Sequence, residues 1–146
     1  MATPAKSRPY SFVIDELNSF LSPDRLRTRP MFGCHALYVD EKIVFMLRRK
    51  EDPKTMRDDG IWVAASGPEQ CQSLARQFPS LREIELFKSE ARQAFSFWLN
   101  LPEGEDGFEE SALELCRLVL KGDSRIGKIP KRSSPRKRVK PTKKSR

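Results

Sequence analysis

A single histidine, His35, stands in a chain of 146 residues. The usual imidazole set of a catalytic zinc site therefore has no source, and the His-Glu-x-x-His helix and the Gly-x-Ser-x-Gly elbow are both missing. Cysteine is equally sparse. Cys34, Cys71 and Cys116 are odd in number and widely spaced, with no Cys-x-x-Cys pair, which argues against a zinc ribbon and a disulfide framework and for plain, mostly buried thiols. The seven glycines are scattered and never cluster ahead of a helix, so no phosphate-cradling loop is present. No apolar run approaches the roughly 18 residues needed to span a bilayer, and Met1 to Pro9 lacks the apolar stretch of a secretory signal. A cytoplasmic protein without metal or cofactor is expected, and there is no internal repeat.

What remains as possible chemistry is thin. Cys34 adjoins His35, but neighbours on a strand point to opposite faces, so the two do not form a nucleophilic dyad. The acidic pairs Asp58-Asp59 and Glu109-Glu110 are of a kind that binds magnesium or moves protons; solvation in a loop and the dipole of a helix's first turn account for them more simply. Trp62, Trp98 and Tyr38 either line a groove on an outer sheet face or pack in the core, and the area that aromatics bury favours the core. Arg48-Arg49-Lys50, with Lys54 and Arg57, is interleaved with Glu51, Asp52, Asp58 and Asp59 and reads as an ordinary solvated loop.

Charge is present in abundance and is unevenly placed. The net charge is +8, yet every residue before Lys128 taken together holds eighteen basic against twenty acidic groups. From Lys128 onward come ten basic residues and no acidic one: Lys128, Lys131, Arg132, Arg136, Lys137, Arg138, Lys140, Lys143, Lys144 and Arg146. Three prolines and almost nothing apolar accompany them. Such a segment does not bury enough surface to offset ordering, so a disordered tail is expected. It is a solubilising appendage, an arm for nucleic acid or, as a lesser alternative, a segment for anionic membranes. Lacking aromatics, it has no base stacking to offer, and binding would be phosphate-led and largely blind to sequence.

The body shows clearer periodicity. Phe12, Val13, Leu17, Phe20 and Leu21 fall near one stripe of a first helix, which Ser22-Pro23-Asp24 ends. Strands follow at Leu26 to Phe32, His35 to Val39 and Ile43 to Arg49, with Gly33 and Asp40-Glu41-Lys42 as the connections. Ile43 to Leu47 is continuously apolar, as for a strand covered on both faces. After a polar loop comes Ile61 to Ala65, then a helix opened by Ser66 and Glu69 as a capping box with Pro68 in its first turn. Extended structure resumes at Leu81 to Phe87. In Ala94 to Leu101, Phe95, Phe97, Leu99 and Leu101 share one face, which makes Phe97 a core residue and Trp98 a less buried one. Asp106 and Glu109 cap a last helix that turns Phe108, Ala112, Leu115, Cys116 and Val119 inward and ends at Gly122. The fold class is therefore α+β, in the order α-β-β-β-β-α-β-β-α: an antiparallel sheet of five to six strands with helices on one face. Residues 1–9 form a flexible start, 10–122 the domain and 123–146 the tail.

The run Arg29, Met31, Phe32, Gly33, continuing through Leu37 and Tyr38, resembles the opening of the TfoX amino-terminal domain family, whose pattern is Arg-x-Met-Phe-Gly-Gly-x-Gly-Leu-Tyr. Phe97-Trp98-Leu99-Asn100-Leu101-Pro102, with the acidic loop and helix after it, resembles that family's closing section. Cys34 and Ala36 replace two of the family's glycines, and the helix within Gly67 to Ser80 is similar to one in YjbR-like proteins. The resemblance implies an α+β fold with an antiparallel sheet and an association with bacterial competence regulation, and it brings no catalytic residues. Together these features predict a non-enzymatic accessory or regulatory protein whose body binds a protein or small ligand while its tail holds nucleic acid. The alternatives are a pure protein-interaction module with an inert tail and, behind it, an enzyme without a recognisable motif.

Overall fold

Side chains alternate across a strand, so the apolar positions of each strand sort onto one face or the other and determine what must be covered. The computed structural model describes residues 9–31, 33–85 and 97–129. Within them lie α1 (Ser11–Asn18), β1 (Leu26–Met31), β2 (Cys34–Val39), β3 (Lys42–Arg48), a 3₁₀ turn (Met56–Asp58), β4 (Gly60–Ala64), α2 (Pro68–Gln77), β5 (Arg82–Glu83), β6 (Trp98–Pro102) and α3 (Phe108–Leu120). Along the chain this is the α-β-β-β-β-α-β-β-α order the periodicity predicts, and the strands form one antiparallel sheet with the spatial order β1-β2-β3-β4-β6-β5.

One sheet face and all three helices share a core. Leu37 of β2, Phe45 and Leu47 of β3, Ile61 and Val63 of β4 and Leu99 and Leu101 of β6 pack with Val13 and Leu17 of α1, Leu74 of α2 and Leu115 and Cys116 of α3. The opposite face is also dry. There Cys34, Ala36, Tyr38, Met46, Trp62, Ala64 and Trp98 form a second buried cluster, with the two indoles 6.5 Å apart and edge-on. The apolar run in β3 supplies both clusters: a bulge opposite Leu37 and Tyr38 leaves Val44 as an extra residue, so Val44 and Phe45 both serve the helix side.

Local details depart from the sequence reading at several points. Trp98 is buried and Phe97 only half-buried, because both sides of β6 are covered and Phe97 precedes the strand, packing at the margin of the core. Phe95 and the rest of 86–96 lie outside the described residues. Phe20, placed on the inward stripe, is 69% exposed, since α1 stops at Asn18 and Ile14 takes the inward position. Neither expected capping box forms. Gly67 and Gly107 occupy the N-cap positions, and the Ser66 hydroxyl donates instead to the Ser124 carbonyl at 2.8 Å. Gly33 (φ 76°) makes the β1–β2 turn and Gly122 (φ 77°) ends α3, as expected.

The boundary drawn at residue 122 moves. Residues 123–129 are bonded into the body: Ile43 and Lys128 exchange both backbone bonds, at 2.8 and 3.0 Å, and Gly127 N–H donates to the Ala64 carbonyl at 2.7 Å. Ile126 is buried. The segment wedges between the start of β3 and the end of β4, where the two strands no longer pair.

These placements predict that Phe45→Ala, which empties the middle of the core, costs about 3–5 kcal/mol in urea unfolding, the usual cost of deleting a buried aromatic. Phe97→Ala costs clearly less. Equal losses would place Phe97 in the core after all.

Candidate functional site

The end of β3 carries a guanidinium that the sheet buries. Arg48, 3% exposed, lies 5.9 Å over the Trp62 ring and donates to Asp59 Oδ1 at 2.6 Å, the Thr55 carbonyl at 3.1 Å and Thr55 Oγ1 at 2.9 Å. Asp59 in turn accepts the backbone N–H groups of Lys50 and Glu51, at 3.2 and 2.9 Å. Asp58 accepts the Glu85 N–H at 2.8 Å, Trp62 Nε1 donates to the Asp58 carbonyl, and Asn100 Nδ2 donates to the carbonyls of Arg57 and Asp59. Arg48, Asp58 and Asp59 are thus not the solvated loop charges that their neighbours in sequence suggest. They are buried and hold the polar loop between β3 and β4 against the sheet.

That anchoring fixes where the next residue points. Arg49 emerges at the surface, donates to Glu103 through Nη2 at 2.5 Å and Nε at 3.3 Å, and stacks over the Tyr10 ring at 5.3 Å. The Tyr10 hydroxyl donates to the same carboxylate at 2.9 Å. Tyr10 sits in the left-handed region, at φ 56° and ψ 41°, an uncommon conformation for an aromatic residue that these contacts and the Phe108 ring at 5.5 Å hold in place. Phe12 meets Phe108 edge-on at 6.1 Å. Around this cluster, between the starts of α1 and α3, opens a shallow groove of about 750 Å³ walled by Phe12, Phe108, Glu103, Glu109 and Glu110. On the other side of Arg49 and Glu103 lies a second depression of about 460 Å³, reaching Met56 and Gly104.

The electrostatics follow from these contacts. Bonds from Arg49 and Tyr10 hold the Glu103 carboxyl below the usual carboxylate range, the larger effect coming from Arg49. Burial, then the neighbouring Glu103, push the Tyr10 phenol above its ordinary value of 10. Burial pushes Cys116 up to about 12 and raises Cys34 and Cys71, so all three cysteines are protonated thiols at neutral pH. Cys34 is buried on the second sheet face, and His35 follows it on the opposite side of β2.

The sequence-derived residues distribute differently. Arg29 is exposed on β1, Met31 is half-buried beside the second cluster, Gly33 is the hairpin turn, Leu37 lies under the helices and Tyr38 lies on the second face with the Arg27 guanidinium 5.2 Å above its ring. They belong to the β1–β2 hairpin; Phe32 is outside the described residues. Of the ten basic residues assigned to nucleic acid, Lys128 belongs to the body, its ammonium 5.7 Å from the Phe97 ring. The other nine lie outside the described residues. Tyr10 and Glu103 carried no signal in sequence, since the contact between them spans 93 positions. Among the described residues no group of three or more His, Cys, Asp or Glu side chains is arranged to hold a metal, and no helix is long and apolar enough to cross a membrane. No family model, curated protein or solved structure matches the chain.

Two measurements check this geometry. Asp59→Asn or Arg48→Met alone leaves a buried charge without its partner and lowers stability by about 3–5 kcal/mol, while Arg48→Met with Asp59→Leu recovers much of the loss, since a buried ion pair is replaceable by apolar side chains. Recovery that fails would mean that the bonds to Thr55, Lys50 and Glu51 matter more than the charge. For Tyr10, the folded phenol keeps its proton at pH values where the unfolded one releases it. Its contribution to stability is therefore complete below pH 10 and declines above, by up to about 1.4 kcal/mol per pH unit. Urea unfolding between pH 9 and 11 is expected to show a shallower decline for Tyr10→Phe than for the unaltered chain.

Proposed function

We propose that this chain is a non-catalytic accessory or regulatory protein, with a body that binds a protein or small ligand at the groove beside Arg49 and a basic tail that binds nucleic acid without strong sequence preference. The observation that carries the reading is the segregation of charge. The nine basic residues beyond Ile129 have no acidic neighbour, while the chain up to Ile129 holds nineteen basic and twenty acidic groups. An unopposed run of that kind releases condensed counterions when it meets phosphates, which supplies affinity without reading bases. The resemblance of residues 29–40 to TfoX amino-terminal domains fits a regulatory role. The groove beside Arg49 supports the ligand-binding half: it is concave, lined by rings, and presents carboxylates and a guanidinium with fixed partners.

Salt titration of duplex DNA binding by the full chain and by a chain ending at Ile129, with circular dichroism confirming the fold of both, tests the tail. Binding by the full chain is expected to weaken with a log–log salt slope approaching about −8 if all nine residues engage, and to change little when the duplex sequence is scrambled. The shortened chain is expected not to bind. Equal binding by both would move the site to the body, and no binding by either at low salt would end the nucleic-acid reading.

A further inference from the structure

Between Glu103 and Glu114 the chain carries six carboxylates and no basic residue. Three are matched by arginines from elsewhere: Glu103 by Arg49, Glu105 by Arg82 and Glu114 by Arg117. Among the described residues Asp106, Glu109 and Glu110 have no ion-pair partner. Glu109 and Glu110 stand at the lip of the groove whose walls are the half-buried rings of Phe12 and Phe108. The groove thus joins apolar wall to unmatched negative charge, which suits long basic side chains that lay their methylene stems on rings and their heads on carboxylates. The structure already contains one such arrangement, in Arg49 seated over Tyr10 and bonded to Glu103.

We propose that the chain's own basic tail docks in this groove, so that the body and nucleic acid compete for the tail. This rests on the reading of the tail as a nucleic-acid arm. Its position makes the contact available. The tail leaves at Ile129, which shares a cleft with Val119 and Gly122 at the end of α3, and the groove lies at the other end of the same helix. Thirteen residues of helix separate them by about 20 Å. The seventeen residues from Pro130 to Arg146 reach at most about 60 Å when extended, and their three prolines and nine like charges favour extension over a compact coil. The separation lies well within that reach, so the covalent link keeps the tail at a high effective concentration near the groove. Nine positive charges, the densest in the chain, then face the densest negative stretch.

The test uses the full chain. Zero-length carbodiimide coupling at low salt, followed by proteolysis and mass spectrometry of the monomer band, is expected to join Lys137, Lys140, Lys143 or Lys144 to Glu109 or Glu110, and to lose these links at 0.5 M salt or on adding duplex DNA. In parallel, Glu109→Gln with Glu110→Gln is expected to bind duplex about threefold to tenfold more tightly at low salt, because apparent affinity scales with the fraction of tail set free. Asp24→Asn with Glu69→Gln changes net charge equally on exposed positions that do not line the groove and serves as the reference. Links spread evenly over surface carboxylates, links found only in coupled dimers, or an equal gain in the reference variant would each overturn the proposal. Absence of duplex binding by every chain, with the specific links still formed, would remove the nucleic-acid reading and leave the docking in place.

Discussion

A guanidinium taken out of water has to be neutralised where it lies, and Arg48 is met at the end of β3 by Asp59 and the Trp62 ring. Desolvation of both charges is costly, and the cost is offset only because Thr55 and the amides of Lys50 and Glu51 complete the hydrogen bonding. The consequence is positional. An eleven-residue polar stretch that would otherwise wander is folded back on the second sheet face, and the residue immediately after the buried arginine is aimed at the start of α1.

Everything at the groove depends on that aim. Arg49 bridges Glu103, from the loop after β6, to the ring of Tyr10, from the entry to α1, and so ties together three segments that are distant in sequence. Tyr10 is kept in an uncommon backbone conformation by the same contacts. A surface ion pair of this kind contributes little to stability by itself. Its effect here is to fix the shape of a ring-lined depression at whose lip, among the described residues, Glu109 and Glu110 have no ion-pair partner.

The two halves of the molecule are therefore complementary in an unusual sense. The tail owes its character to composition alone, whereas the groove owes its character to assembly. The wedge of residues 126–128 between β3 and β4 joins the two: it fixes the point from which the tail starts, beside the end of α3, and so decides which surfaces the tail can reach.

Element order, strand pairing along the β1–β2–β3 meander and the apolar faces of β4 and α3 were legible in the sequence, because side-chain period and turn residues are local properties that a chain carries wherever it folds. Segregation of basic charge beyond residue 129 was legible for the same reason. Burial of Arg48, Asp58 and Asp59 was not, since their sequence neighbours are polar and only the second apolar cluster, built from five strands or strand ends, removes them from water. Nor was the capture of Ile126 to Lys128 by the sheet, which depends on two strands parting at one end. The meeting of Tyr10, Arg49 and Glu103 was likewise decided by tertiary structure. No spacing rule links residues 39 and 93 positions apart, and they become a site only when the sheet brings the end of β3, the entry to α1 and the loop after β6 to one place.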